Sequence, residues 1–196
     1  MYKLFFGLLL LASCEKTDNI NSSENKIDDR IIEKIIGHYK DEFKEMKLEK
    51  VVSDSSISIK IIDGDSEYSE SIYNAKISKM KNAYIFGDVN NDNLTDVVAI
   101  VSCEAGTGGN ASWNDIFVFL LEKDKYILSS YNRSDEISGC KDGNFYPEKF
   151  ENGLIVGESS CYESDDAHCC PSLNYKTTVK YVAGKLVFNS KDKLKK

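Results

Sequence analysis

The chain has 196 residues, 41% of them hydrophobic and 29% charged, with a formal net charge of −7. That length suits a single hydrophobic core. The acidic balance, with no basic stripe along the chain, argues against a nucleic-acid partner.

The chain opens with MYKLFFGLLLLASC, in which Lys3 precedes an apolar run from Leu4 to Ala12. The run is shorter than the ~20 residues that span a bilayer. It has the layout of an export signal: a charged start, an apolar middle and small residues before a cut. Leu11-Ala12-Ser13-Cys14 resembles the lipobox of bacterial lipoproteins. The resemblance implies that residues 1–13 are removed and that Cys14 carries lipid. It also implies anchoring to a membrane face of the bacterial cell envelope, outside the cytoplasm. Residues 14–25 are polar and aperiodic, and read as a flexible tether. One domain is expected over residues 26–190, followed by a short basic tail over 191–196.

Ile27, Ile31, Ile32, Ile35, Ile36, Tyr39, Phe43 and Met46 recur at spacings that mark one helix face, predicting a helix over 27–47. Ser23 or Asn25 is the expected cap, and His38 is placed toward solvent. After residue 50 the apolar period becomes two. Strands are predicted at 56–62, 84–86, 96–102, 115–122, 125–131, 154–159, 175–182 and 185–189. Asp63-Gly64-Asp65, Glu122-Lys123-Asp124, Asn152-Gly153 and Ala183-Gly184 are the turn signals. The expected fold class is α+β, an N-terminal amphipathic helix packed on a mainly antiparallel β-sheet.

GDVNNDNLTDVV, residues 87–98, concentrates acids and amides directly before a strand. Calcium takes six to eight oxygens at roughly 2.4 Å, which such a loop can supply. An EF-hand needs glycine at its sixth position and glutamate at its twelfth. Counted from Asp88, those positions hold Asn93 and Ala99, so an EF-hand is excluded. FGDVNNDNLTDVVAI instead resembles the calcium loop of the FG-GAP and VCBS families. By that resemblance Asp88, Asn90, Asp92 and Asp96 offer side-chain oxygens and Leu94 its carbonyl. Asn93 stands where those families have glycine; asparagine is the non-glycine residue best suited to left-handed backbone angles. The alternative is an Asx-rich turn that binds nothing. More broadly, the order of this loop, the glycine-rich EAGTGGNASWND and the later DDAHCCPS resembles small exported bacterial domains of uncharacterised activity.

Six cysteines are present. With Cys14 assigned to lipid, Cys103, Cys140, Cys161, Cys169 and Cys170 remain for disulfides, and an odd set leaves at least one thiol over. Cys161 with Cys169 or Cys170 is the most local pairing. His168, Cys169 and Cys170 with Cys161 also form a candidate zinc set, but adjacent cysteines point apart in an extended strand. Gly106-Thr107-Gly108-Gly109 lacks the lysine of a phosphate loop. The stretch reads as a connection between strands, with Gly108, Gly109, Trp113 and Asn114 as a candidate ligand rim. Glu104 and Asp115 flank it and are the one carboxylate pair to weigh for glycoside chemistry. The leading expectation is a non-enzymatic envelope lipoprotein with a structural calcium ion. Its role is to bind a macromolecule, of which an inhibitor or immunity-type lipoprotein is one form. The alternative is a calcium-dependent hydrolase of cell-wall or polysaccharide material.

Overall fold

The computed structural model describes residues 26–62, 71–105, 111–167 and 170–194. The signal segment, Cys14, the tether, Ser23, Asn25, the turn at Asp63-Gly64-Asp65, Gly108, Gly109, His168 and Cys169 lie outside the described residues.

Two strands organise the fold. β5 (Asp96–Ala105) and β6 (Ser112–Glu122) pair antiparallel and are apolar on both faces. Val97, Ala99, Val101, Cys103, Phe117 and Phe119 join one core cluster, whereas Val98, Ile116, Val118 and Leu120 join another. A strand buried on both faces reads as a continuous apolar run, as VVAIV and IFVFLL do. Such a pair needs a covering layer on each side.

On one side lies α1 (Asp29–Glu42), whose Ile31, Ile32, Ile35 and Tyr39 are buried in the first cluster. Its cap is Asp28, which accepts the Arg30 N–H at 2.9 Å. Pairing with the Arg30 side chain lowers the Asp28 carboxyl below its usual range. The helix ends five residues before the sequence suggests, because 47–52 become a strand. His38 is not solvent-facing. Its ring packs at 5.1 Å from Phe117 and 4.3 Å from Tyr131, with Glu42 2.9 Å from its Nε2.

The larger sheet also holds β1 (Lys47–Val52), β2 (Ser56–Ile62), β3 (Ser71–Ser78), β4 (Tyr84–Gly87) and β7 (Lys125–Arg133). Its order is β1-β2-β3-β5-β6-β7, with β4 pairing β5 beyond the end of β3. On its other side lies a second antiparallel sheet. This is built from β8 (Gly143–Glu151), β9 (Leu154–Cys161), β10 (Leu173–Val182) and β11 (Lys185–Lys193), in the order β11-β10-β9-β8. Phe145, Ile155, Val179 and Leu186 of this sheet close the second cluster.

The α+β expectation is therefore corrected. Strands take 60% of the described residues and helices 11%, and the fold is mainly β, with two antiparallel sheets and one helix. α1, a helix of 14 residues, covers one face of the central strands, and the second sheet covers the other. Three strands escape the sequence pattern. β1 is an edge strand exposed along most of its length, without apolar alternation. β3 carries a short, interrupted pattern. β8 contains Pro147, tolerated because β8 is an edge strand whose register shifts there. The predicted basic tail is also shortened, since β11 runs to Lys193. Lys191 donates to the Gly139 carbonyl at 2.6 Å and lies 4.5 Å from the Tyr175 ring centroid.

The hairpins follow the turn chemistry. β6–β7, β8–β9 and β10–β11 close through two-residue turns at Lys123-Asp124, Asn152-Gly153 and Ala183-Gly184. All six residues have positive φ, as a type I′ turn requires.

Candidate functional site

The loop at 88–95 joins β4 to β5, whose ends pair at Gly87 and Asp96. Gly87 makes room for the Phe150 ring there: a Cβ would lie 2.1 Å from it, and the ring would have to move. Asn91 and Asn93 adopt φ of 63° and 68°, so Asn93 takes the left-handed turn that glycine usually serves. The acids then fold back on their own backbone. Asp88 accepts the N–H groups of Asp92 and Asn93, each at 2.9 Å. Asn90 Oδ1 accepts from Asp92 N at 3.1 Å, and Asp92 Oδ1 from Leu94 N at 2.8 Å.

Asp96 differs from the other loop acids. It is fully buried, and its two oxygens accept from Val89 N and Leu121 N, each at 2.9 Å. Burial pushes its carboxyl above the usual range, against the pull of those amides. The donors are the hard oxygens calcium takes, and Leu94 is exposed. Their side chains are aimed at backbone amides, however, those of the loop and, for Asp96, that of Leu121 in β6 as well. Among the described residues no group of three or more His, Cys, Asp or Glu side chains is gathered for a metal ion.

A second cluster is built around Asp115. This residue is opposite Val101 in the β5–β6 register, on the sheet face that α1 covers. It is fully buried. Tyr39 of α1 donates to its Oδ2 at 2.7 Å, Tyr73 of β3 donates to the same oxygen, and the Cys103 thiol lies 3.3 Å away. Trp113 Nε1–H donates to Oδ1 at 3.1 Å. A buried carboxylate survives only if its lone pairs are met, and here four groups from three strands and the helix meet them. Burial, then the neighbouring thiol and acid, raises the Tyr39 and Tyr73 phenols far above their ordinary value. Burial likewise pushes the Cys103 thiol up to about 12, so it is an unreactive neutral donor.

Glu104 does not meet Asp115. It pairs with Ser112 and leaves the opposite face of β5 from Val101 and Cys103. The expected carboxylate pair is thus not a glycosidase pair. Asn114 is also corrected as a rim residue, being buried with its backbone tied to Ser134 at 3.0 and 2.8 Å.

Trp113 does reach a concave surface. A groove of about 720 Å³ runs between the start of β6, the end of β7 and the ends of β8 and β9. Its wall includes Trp113, Arg133, Asp135, Lys141, Tyr146 and Tyr162. The Arg133 guanidinium lies 4.8 Å from the indole centroid and is held by Asp135 through two contacts of 3.2 Å.

A disulfide joins Cys140 to Cys161 next to this groove. The local pairing expected for Cys161 is not made, and Cys161 is removed from the zinc set. Cys170 is disulfide-bonded as well. Cys103, offered as a disulfide residue, is free and buried.

The Asp115 cluster went unassembled at the sequence level, although Tyr39 stood on the apolar helix face and Asp115 began an apolar strand. An acid in phase with Phe117 and Phe119 was the available signal. Comparison with known proteins finds no matching family model, no matching curated protein and no matching solved structure.

Proposed function

We propose that this protein is a lipid-anchored module of the bacterial cell envelope that binds a protein partner in the groove beside Trp113. The observation that carries the reading is the groove itself, whose wall brings Trp113, Tyr146, Tyr162 and Arg133 to one concavity. Tryptophan, tyrosine and arginine are the residues that dominate binding energy at protein interfaces. An inhibitor or immunity-type role is one form of such binding. The LASC segment supports the address, and the Cys140–Cys161 bridge suits an oxidising compartment.

In the same reading the loop at 88–96 binds calcium and clamps β4 to β5. Asp88, Asn90, Asp92 and Asp96 would hold the ion with the Leu94 carbonyl, and the ion would neutralise acids gathered in one turn. The order and kind of donors and the left-handed Asn93 support this. Against the hydrolase reading stands the register, in which Glu104 and Asp115 leave opposite faces of the sheet.

The groove is tested in cells by placing a photo-crosslinking side chain at Tyr146, 39% exposed, and in parallel at Val182, 46% exposed. A protein adduct specific to Tyr146 is expected, and equal or absent adducts at both positions reject the groove. Labelled palmitate should enter the chain and be lost in Cys14→Ala. Thermal unfolding in EDTA and in millimolar calcium tests the loop. A calcium-dependent rise that Asp92→Ala abolishes is expected, and an unchanged midpoint in the wild type rejects the ion.

A further inference from the structure

We propose that Asp115 is the positioning residue of the groove, and that it ties the setting of Trp113 to the docking of α1. The proposal rests on reading the groove as the binding surface.

The two oxygens of Asp115 face different tasks. Oδ1 holds the indole N–H of Trp113, a groove-wall residue, at 3.1 Å. Oδ2 collects the hydroxyls of Tyr39 and Tyr73 and the thiol of Cys103, on the core side. A tryptophan needs a partner for its one polar hydrogen when it is withdrawn from water, and that partner selects its rotamer. Here the selected rotamer presents one indole face to Arg133, and Arg133 in turn is gripped by Asp135. The Tyr73 ring fixes the indole from another side, at 5.2 Å and 67°. The groove wall is therefore a chain: Asp115 sets Trp113, Trp113 sets Arg133, and Arg133 sets Asp135.

The inner end of that chain lies on the helix. Tyr39 is fully buried and is the α1 residue that donates to Asp115. If α1 shifts, Oδ2 loses a donor and the acid must find compensation from its remaining partners. The indole N–H is one of them. Groups sharing one buried carboxylate are energetically coupled in this way. Ligand seated on Trp113 and docking of α1 then stabilise each other through a single side chain, and the coupling is reciprocal.

The single tryptophan makes this testable without a known ligand. A ¹⁵N spectrum of the full chain should show one indole N–H resonance. In the wild type its hydrogen should exchange slowly, being held by Asp115. Asp115→Asn leaves one acceptor oxygen for four donors, so the bond to the indole weakens; the resonance should move and its exchange should speed up by about tenfold or more. Tyr39→Phe, which keeps the ring and removes the hydroxyl, should move it less but in the same sense. Ile35→Val, in the same core cluster but with no polar atom at Asp115, lowers stability and should leave the resonance in place.

An unmoved resonance in Asp115→Asn, or an equal shift in Ile35→Val, overturns the proposal. If Asp115→Asn does not fold, Tyr39→Phe and Tyr73→Phe decide, and an unmoved resonance in both overturns it. The crosslinking at Tyr146 is read separately. A responsive indole with no adduct leaves the positioning role standing and removes the binding reading.

Discussion

Replacing both Cys140 and Cys161 by serine should destabilise the fold by an amount that follows from chain length. The bridge closes a separation of 21 residues. Loop-closure entropy for that length corresponds to about 3.3 kcal/mol at 25 °C. The native geometry should survive the change, because other contacts already hold the segment. Ser159 Oγ donates to the Ser138 carbonyl at 2.9 Å, Ser138 Oγ accepts the Cys140 N–H at 3.1 Å, and Lys191 grips the Gly139 carbonyl at 2.6 Å. The loss should therefore come mainly from greater freedom of the unfolded chain. Urea unfolding followed by circular dichroism should give a midpoint shift equivalent to about 3 kcal/mol, and thermal unfolding should fall by about 7–13 °C for a domain of this size. Substitution is the cleaner perturbation, since a reductant also opens the bridge at Cys170. A loss below about 1 kcal/mol would refute the reasoning, because it would mean the bridge does not restrict the unfolded state.

Further outcomes follow from single positions. Ala183 has φ of 49° in the β10–β11 turn, a conformation that costs an L-residue about 1–2 kcal/mol. Ala183→Asn should therefore raise stability by about 0.5–1 kcal/mol in thermal unfolding, and no gain would contradict a type I′ turn. Gly157→Ala places a Cβ 2.1 Å from the Tyr146 carbonyl oxygen. Backbone must yield to backbone, so a loss above about 2 kcal/mol in urea is expected, and wild-type stability would deny the close approach. Tyr39, Tyr73, Tyr84 and Tyr131 all have raised phenol values, with burial as the leading cause. A raised group contributes stability that is whole below its unfolded value and is lost as pH rises through its folded value. In an alkaline titration these four phenolates should appear together with loss of the circular dichroism signal, and full ionisation of all tyrosines before unfolding would refute their burial. The Cys103 thiol, held up to about 12, should resist alkylation at neutral pH until the chain unfolds, whereas rapid labelling of the native protein would place it at the surface.

Local elements were legible because their signals are local. The amphipathic period around Ile31, Ile35 and Tyr39 marked α1, and SISIKII marked β2 to the residue. Asn152-Gly153 and Ala183-Gly184 announced their hairpins because positive φ restricts residue choice. The left-handed turn at Asn93 was readable for the same reason. β1 and β8 were not legible: an exposed edge strand has no apolar face to print in the sequence, and Pro147 argues locally against a strand.

From residues alone came the export-like start, the oxygen-rich loop, the turns and most strands, since each depends on a few neighbouring side chains. Only the tertiary structure decided that the strands form two sheets. A continuous apolar run such as IFVFLL records that both faces are buried, not what buries them. Only the tertiary structure paired Cys140 with Cys161, turned Glu104 away from Asp115, and gathered Tyr39, Tyr73, Cys103 and Trp113 onto one acid. Those groups lie as many as 76 residues apart in the chain, and what unites them is strand register and helix docking, which no short stretch of sequence encodes.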